Sequence, residues 1–491
     1  MTLLNVLSIN KSTIKQDAVQ LNKLITLFLW LFCIANIIFL FKYYPNLPVA
    51  YFGDYIRING FTTLIWITVS FFGAIVSSYS EDYLKGFLFH KKFILLSLAF
   101  TLSVMLFVTS NHVIILILSW FLMGLIMSRL IGVDSNWEDA KQASKFTQKY
   151  FSTSTIFLTI GLLLLAFNSN TLNVDSILIN LNNIPEYIIL LSAFCIIISA
   201  LIQSAIFPFH RWLLSSMTAP TPASALMHAG FVNGSGILLV LFSSVLFTTN
   251  TLDVLFVIGG ITAILAQFTK LLQVNVKQKL ACSTIAQMGF MIMQCGLGFF
   301  NAAIAHLILH GFYKAYLFLS AGEEIEFSKP KKKLKITINP LQTILVLIYG
   351  LLGALLFTSL TGKGKALDSG LFLTLIVAIT TGQLVYNIVK LKSLNILQKI
   401  IVPPILFFSG IIFYAVIYNF ITALMAEMPM AIISTPISII QMVFGAIFLI
   451  GFFVMKLGIY RQIPWLYVKL LNASQPFKKT ILTNKTTSNV L

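Results

Sequence analysis

Long apolar segments recur along the whole chain and constrain its fold more than any other feature. Each is close to the ~20 residues that an α-helix needs to cross a bilayer. Because backbone polar groups in lipid must be satisfied internally, such segments predict helices. About fourteen spans are predicted, over residues 24–41, 61–79, 93–109, 112–131, 150–167, 187–206, 222–247, 254–272, 281–300, 301–321, 340–360, 371–389, 401–420 and 433–454. The sequence therefore predicts an all-α polytopic membrane protein.

Charged residues are scarce and mostly basic. They make up 10% of the sequence, against about 25% in soluble domains, while 58% of the residues are hydrophobic. The net charge of +18 would also suit nucleic-acid binding, but the distribution of Lys and Arg indicates membrane topology instead. If the N-terminus is cytoplasmic, 28 of the 33 Lys and Arg fall in cytoplasmic segments. Lys314 then lies in the membrane, and the remaining four lie on the outer side: Lys42, Arg57, Lys363 and Lys365. We expect both termini in the cytoplasm and no nucleic-acid partner.

The same distribution divides the chain into three parts. We predict a cytoplasmic N-terminal segment over residues 1–23, a transmembrane domain over 24–458 and a basic cytoplasmic tail over 459–491. The first twenty residues contain no apolar run followed by a small-residue cleavage site, so no removable signal peptide is expected. Residues 323–335 change from acidic to strongly basic, which favours contact with lipid headgroups.

No catalytic or metal-binding motif stands out in the sequence. The four cysteines form no CxxC pair, so neither a disulfide framework nor a thiolate metal site is indicated. His306 and His310 have the spacing of zinc ligands, but Leu307 occupies the position where a metalloprotease has glutamate. A phosphate-binding glycine loop, a nucleophile elbow and a paired acid and base are also missing. We expect no catalysis, cofactor or metal in this chain.

Residues 305–322 carry three ionisable side chains within an apolar segment. His306, His310 and Lys314 are spaced i, i+4 and i+8, which places them on one helix face over ~12 Å of axis. An ammonium near the bilayer centre costs ~2.5–3.5 kcal/mol even on the mildest scale, so such groups usually face the bundle interior and have a function. We interpret them as part of a proton path. In the alternative interpretation, Lys314 snorkels to the membrane edge and the histidines only bond neighbouring helices.

An interrupted helix is predicted between residues 203 and 236. Pro208 ends or kinks the span that carries Gln203, and a short amphipathic piece follows over residues 209–217. After Pro220, the pattern predicts Thr221 as N-cap and Pro222 at the first helical position. His228 would lie ~9 Å further along this new helix.

Interrupted helices at membrane depth line cavities, because their freed backbone groups need partners. Gly230 and Gly234 form a GxxxG motif, which lets another helix approach beside Asn233. The break, this motif and a buried His228 together predict a polar path.

Four segments of the central region resemble one family of membrane proteins. They are residues 120–132, PTPASALMHA at 220–229, KQKLACSTIAQMGFM at 277–291 and AHLILHGFYKAYLF at 305–318. The family is the antiporter-like group that includes the L subunit of NADH-quinone oxidoreductase and the large subunit of Mrp antiporters. The resemblance implies an antiporter-like bundle in which His228, His306, His310 and Lys314 belong to a mid-membrane chain of protonatable groups. It also implies a role for Lys363, which matches a charged family position or lies in an external loop.

Two positions depart from the family pattern. The family has a glutamate after the tryptophan, where this sequence has Phe121, and a lysine where it has Gln203. In the respiratory pumps these residues form a buried ion pair. Losing one alone would strand a charge at a cost of ~3–5 kcal/mol, so their joint replacement is electrically consistent. It argues against the standard respiratory pumping cycle.

The segment at residues 207–236, FPFHRWLLSSMTAPTPASALMHAGFVNGSG, is more similar to one branch of the family than to the others. This branch is the DabB membrane subunits of inorganic-carbon accumulation complexes in the bacterial inner (plasma) membrane. The resemblance implies a partner, a DabA-like subunit with a zinc site like that of carbonic anhydrases. In such a complex the partner hydrates CO2 to bicarbonate, and the reaction is coupled to the entry of cations, here protons. The alternatives are a respiratory or Mrp-type subunit that moves protons or sodium, and an inert membrane anchor.

Overall fold

Eighteen α-helices make up most of the part of the chain that the structure describes. This computed structural model describes residues 2–321, 340–363, 369–372, 374, 396–428, 436–457 and 463–477. The helices are α1 Thr2–Tyr43, α2 Gly60–Tyr83, α3 His90–Thr109, α4 Val113–Ile131, α5 Glu138–Ser169, α6 Val174–Ile179, α7 Glu186–Gln203, α8 Arg211–Ser215, α9 Thr221–Ala229, α10 Gly234–Leu241, α11 Ser243–Thr248, α12 Leu252–Leu272, α13 Val276–Gly296, α14 Phe300–Leu319, α15 Pro340–Thr361, α16 Ile396–Leu424, α17 Ile439–Leu457 and α18 Pro464–Ala473. Single turns of 3₁₀ helix cover Leu181–Asn183, Ser216–Thr218 and Phe231–Asn233.

The helical membrane fold predicted from the apolar segments is confirmed. Within the described residues, ten helical segments are long and apolar enough to cross a bilayer. The predicted total of about fourteen spans stays a prediction, as do the three-part division of the chain and its orientation. The predicted span over residues 371–389 and the basic segment 323–335 lie largely or wholly outside the described residues.

A small hairpin between α1 and α2 was not predicted. Ala50–Phe52 pairs antiparallel with Ile56–Ile58, and Arg57 on the second strand forms a salt bridge with Asp175 at the start of α6. The next helix, α2, begins with a capping box in which the Asn59 side chain accepts from the Thr62 amide at 3.0 Å and the Thr62 hydroxyl accepts from the Asn59 amide at 2.7 Å. These bonds fix the chain where it enters the bundle.

Helices α12 and α13 pack very closely through glycines. A Cβ on Gly259 would lie 2.5 Å from the Met293 amide nitrogen, and a Cβ on Gly289 would lie 2.7 Å from the Ala263 nitrogen. Only residues without a side chain allow this approach of the two backbones. At its start, α13 is capped by Asn275, which accepts from the Lys277 amide at 2.9 Å. The pair gives α13 a fixed position beside α14.

The last described helix, α18, lies against the segment between α7 and α9. The carbonyl oxygen of Ala473 bonds the His210 ring at 2.7 Å, and the Phe477 amide donates to the Ser215 hydroxyl at 3.0 Å. The Phe477 and Phe146 rings stack with centroids 4.4 Å apart. Burial, aided by the adjacent positive charge of Arg211, lowers the pKa of His210, although its bond to Ala473 partly opposes the shift. His210 therefore binds α18 in its neutral form.

Candidate functional site

The interrupted helix predicted between residues 203 and 236 has its first break earlier in the chain than the sequence predicts. Helix α7 ends at Gln203, five residues before Pro208, and the chain turns through Ala205 at φ +55°. The predicted amphipathic piece is a short helix and a 3₁₀ turn in which all residues from 212 to 219 are buried. The prediction of Thr221 as N-cap was wrong. Pro220 holds that position, and the Thr221 hydroxyl lies 3.1 Å from the Tyr83 hydroxyl instead.

A second break follows directly after His228. Helix α9 ends at Ala229, and the chain passes through Gly230 and one 3₁₀ turn before α10 begins at Gly234. The amide of Asn233 donates to the Ala229 carbonyl at 2.7 Å, so a side chain satisfies a carbonyl near the break. This interrupted segment, Thr221–Leu241, is the most buried of the ten candidate spans among the described residues, with 94% of its apolar stretch inside the protein. The break therefore lies in the protein interior, where irregular backbone is tolerated at membrane depth.

Helix α14 packs against this break. A Cβ on Gly311 would lie 2.8 Å from the Phe72 ring and 3.1 Å from the Ala229 carbonyl oxygen. The Asn233 amide also reaches the Leu307 carbonyl of α14, at 3.4 Å. The close contact brings the ionisable side chains of α14 to the side of α9 that carries His228.

Lys314 is completely buried on α14. Its Nζ donates to the carbonyl oxygen of Leu280 on α13 at 3.1 Å. The described residues place no carboxylate within salt-bridge distance of it. A lysine in such a site is held by a carbonyl dipole rather than by a counterion, which favours gain and loss of its proton.

The three histidines differ in their burial. His310 is 6% exposed and His228 is completely buried, whereas His306 is half-buried. The rings of His306 and His310 lie nearly parallel, with centroids 6.0 Å apart and an interplanar angle of 14°. His228 stacks on Phe318, one turn beyond Lys314, with centroids 4.3 Å apart. The structure thus brings His228, His310 and Lys314 into electrostatic contact, and His306 continues the row.

The buried ring nitrogens have unused hydrogen-bonding capacity. Within the described part of the chain, both nitrogens of His228 and His310 and Nε2 of His306 have no hydrogen-bond partner. Leaving a buried polar group unsatisfied costs about 1–3 kcal/mol. Ordered water commonly satisfies such groups in proteins. Imidazoles and an ammonium are groups that bind and release protons, and the proton path through them stays a prediction.

His306 and His310 have the sequence spacing of zinc ligands. Among the described residues, no group of three or more His, Cys, Asp or Glu side chains could hold one. His306 and His310 stack in parallel and do not converge with a third ligand. The expectation that this chain holds no metal ion stays a prediction.

Gln203 and Phe121, the two departures from the family pattern, lie in different environments. Gln203 is 1% exposed, with its Nε2 near Gly234 and unpartnered among the described residues. Phe121 is 38% exposed on the outer side of α4. Gln203 is thus a buried polar group beside the break, while Phe121 faces away from it. No described hydrogen bond connects Gln203 to the histidines.

Lys363 lies away from the histidine and lysine cluster. It follows the end of α15, and its Nζ lies 5.3 Å from the centroid of the Phe299 ring, just before α14 begins. Lys314 lies near the other end of α14, ~22 Å along the axis at 1.5 Å per residue. The structure therefore does not join Lys363 directly to Lys314.

Sequence reasoning missed one lysine at the first break. Lys277, assigned to a loop, donates from Nζ to the carbonyl oxygen of Ala219 at 2.9 Å, just before Pro220. Its position two residues after the helix-capping Asn275 indicated a helix start but not this partner, which is 58 residues away in sequence. Lys277 and Leu280, whose carbonyl oxygen bonds Lys314, lie about one turn apart on α13.

The fold and the site define a multi-span membrane protein of the antiporter type. Residues 110–363 match the family described as NADH:quinone oxidoreductase/Mrp antiporter, transmembrane. The match covers more than half of the sequence, and the chain belongs to this family.

Individual relatives fall into two groups. A probable inorganic carbon transporter subunit DabB from Bacillus anthracis is 35% identical over 63% of this chain and 62% of its own length. NADH-quinone oxidoreductase subunit L from Rickettsia typhi is 31% identical over 65% of this chain and 51% of its own length. The chain thus matches between half and two thirds of each relative. A structure of the Mrp complex from Dietzia sp. shares the fold, with a TM-score of 0.62 at 20% identity over 93% of this chain and 54% of that one.

Proposed function

We propose that this chain is the proton-conducting membrane subunit of a two-component complex that takes up inorganic carbon. The observation that carries the conducting role is the buried cluster of His228, His310 and Lys314 beside the broken helix, with His306 continuing it. A chain that served only as an anchor would have no use for five buried ring nitrogens that lack a hydrogen-bond partner among the described residues.

The similarity to DabB proteins supports inorganic carbon as the cargo of the complex. The partner would be a DabA-like subunit with a zinc site of the carbonic-anhydrase kind. Proton flow through this chain would drive hydration of CO2 to bicarbonate in one direction. Both the zinc and the catalysis would belong to the partner, and this chain would contribute transport.

The location follows from the charge distribution. With 28 of the 33 Lys and Arg on the side of the termini, we place both termini in the cytoplasm of a bacterium and the helices in its inner membrane. The partner would bind from the cytoplasmic side, where bicarbonate is retained.

A second candidate is a proton- or sodium-translocating subunit of a respiratory or Mrp-type complex. The similarity to subunit L and the fold shared with the Mrp complex favour it. The uncharged Gln203 and Phe121 argue against it, because this chain lacks the ion pair of those pumps.

Purification of the tagged chain from its native membrane distinguishes the candidates. The proposal expects a zinc-containing partner in near-equal amount, and a deletion strain that grows in elevated CO2 but not in ambient air. Co-purification with flavin or iron–sulfur subunits, or sodium sensitivity of the deletion strain, would establish the second candidate instead.

A further inference from the structure

A second group of buried polar side chains lies beyond His306, where α13, α14 and α16 meet. Gln294, Asn301 and Tyr418 are each at most 1% exposed. In the described part of the chain, neither Oε1 of Gln294 nor the hydroxyl of Tyr418 has a hydrogen-bond partner. The amide of Asn301 donates to the Thr422 hydroxyl at 2.7 Å. The group therefore combines fixed donors with unused acceptors.

Two side-chain interactions connect the helices within this group. The Gln294 side chain interacts with the Tyr414 hydroxyl, one helical turn before Tyr418. The Asn301 side chain lies beside the Tyr418 hydroxyl. Two amides and two phenols from three helices thus meet in one place.

The surroundings of the group are strongly apolar. Six buried phenylalanines belong to the same packed cluster as Tyr418: Phe256, Phe299, Phe357, Phe372, Phe407 and Phe444. Polar atoms left unsatisfied in such a cluster cost about 1–3 kcal/mol each. A phenylalanine at position 418 would pack equally well without that cost. Packing alone therefore does not account for the hydroxyl.

The group lies between His306 and Lys363. On the His306 side, the imidazole contacts Phe290, with ring centroids 5.4 Å apart, and Gln294 lies one turn beyond Phe290 on α13. Asn301 precedes His306 by ~7.5 Å of helix axis. On the other side, the Nζ of Lys363 lies over the ring of Phe299, two residues before Asn301.

We propose that Gln294, Asn301, Tyr414 and Tyr418 bind water and relay protons between His306 and the Lys363 end of the bundle. A phenol both donates and accepts a hydrogen bond, so a hydroxyl can pass a proton along a water chain without changing its charge. The free Oε1 of Gln294 holds a water as an acceptor. The inference rests on the proposed proton conduction and adds the residues that complete the path.

Proton flux into proteoliposomes, followed with a pH-sensitive dye, tests the relay. Tyr418→Phe removes one oxygen and keeps the ring, and Gln294→Leu removes the amide. We expect each to lower the flux about tenfold, the effect of one lost hydrogen bond on the barrier. Tyr349→Phe is the matched control, because this tyrosine packs on Phe407 and Phe408 in the same cluster but lies outside the path.

A His310→Leu variant measured alongside separates the two proposals. If His310→Leu stops the flux while Tyr418→Phe and Gln294→Leu conduct like Tyr349→Phe, the relay is overturned and the conducting role stands. If His310→Leu itself conducts like the unmodified chain, the conducting role fails. Thermal unfolding of each variant shows whether it is folded, and because the Tyr418 hydroxyl has no hydrogen-bond partner among the described residues, we expect the melting temperature of Tyr418→Phe to be unchanged or higher.

Discussion

The ammonium nitrogen of Lys314 lies 3.1 Å from the carbonyl oxygen of Leu280, 34 residues away in the sequence, and joins α14 to α13 inside the bundle. The same carbonyl accepts the Thr284 hydroxyl at 3.2 Å. The carbonyl oxygen of Leu280 therefore does not need the lysine as a hydrogen-bond donor, and the burial of Lys314 must have another explanation. Proton transfer supplies one, since burial without a counterion disfavours the charged form of a lysine and so lets it release its proton.

Lys314→Met should separate transport from stability. Methionine keeps most of the length of the side chain and removes a buried ammonium, so we expect a melting temperature equal to or above that of the unmodified chain, with loss of proton flux. Tyr313→Phe is the control, because this neighbouring side chain is 58% exposed on the outer face of α14. A Lys314→Met variant that conducts like Tyr313→Phe would show that the lysine takes no part in proton conduction.

Gly311→Ala should separate α14 from the broken helix. The new Cβ would meet the Phe72 ring at 2.8 Å and the Ala229 carbonyl at 3.1 Å. We expect a loss of about 1–3 kcal/mol in stability, with reduced proton flux because His310 and Lys314 shift away from His228. Thermal unfolding and flux measurements check both effects.

Gly350→Ala provides the matched control for that change. A Cβ on Gly350, within α15, meets nothing within 4 Å among the described residues. Replacing a helical glycine with alanine should raise stability by up to about 1 kcal/mol and leave the flux unchanged. Equal behaviour of the two glycine variants would argue against close packing at Gly311.

Acid should release α18 from the segment between α7 and α9. Because burial lowers the pKa of His210 from its ordinary value of 6.5, the folded chain favours the neutral ring. Its contribution to docking is therefore complete above pH ~6.5 and is lost as the pH falls through the lowered pKa. Hydrogen exchange of the α18 amides at pH 7.5 and 5.5, corrected for intrinsic rates, should show this loss.

His210→Gln is the control for the pH effect. Its amide still donates to the Ala473 carbonyl but does not titrate, so α18 should be protected equally at both pH values. Protection that falls with acid in both proteins would assign the effect to another group.

The helices and the face that carries the ionisable groups follow from local sequence patterns. Apolar length predicted the spans, and the spacing of His306, His310 and Lys314 predicted a common face. In the structure His310 and Lys314 are buried on that face, while His306 is half-buried at its edge. Periodicity fixes the direction of a side chain on a helix but not how far a neighbouring helix covers it.

Features that depend on distant partners were beyond local patterns. The second break at Gly230 was not predicted, because a GxxxG motif suits continuous packing equally well. The bonds from Lys277 to Ala219 and from Ala473 to His210 join residues 58 and 263 apart in sequence. Nothing in either local sequence specifies such a partner, so these contacts follow only from the packed structure.

Proton flux through the purified chain in proteoliposomes, compared with that through His310→Leu at equal protein density, tests the central claim most directly. If the buried histidines and lysine carry protons, His310→Leu should lower the flux by at least about a hundredfold, as expected for loss of a proton-transferring group, while the protein remains folded. A folded His310→Leu variant with the flux of the unmodified chain would contradict the account.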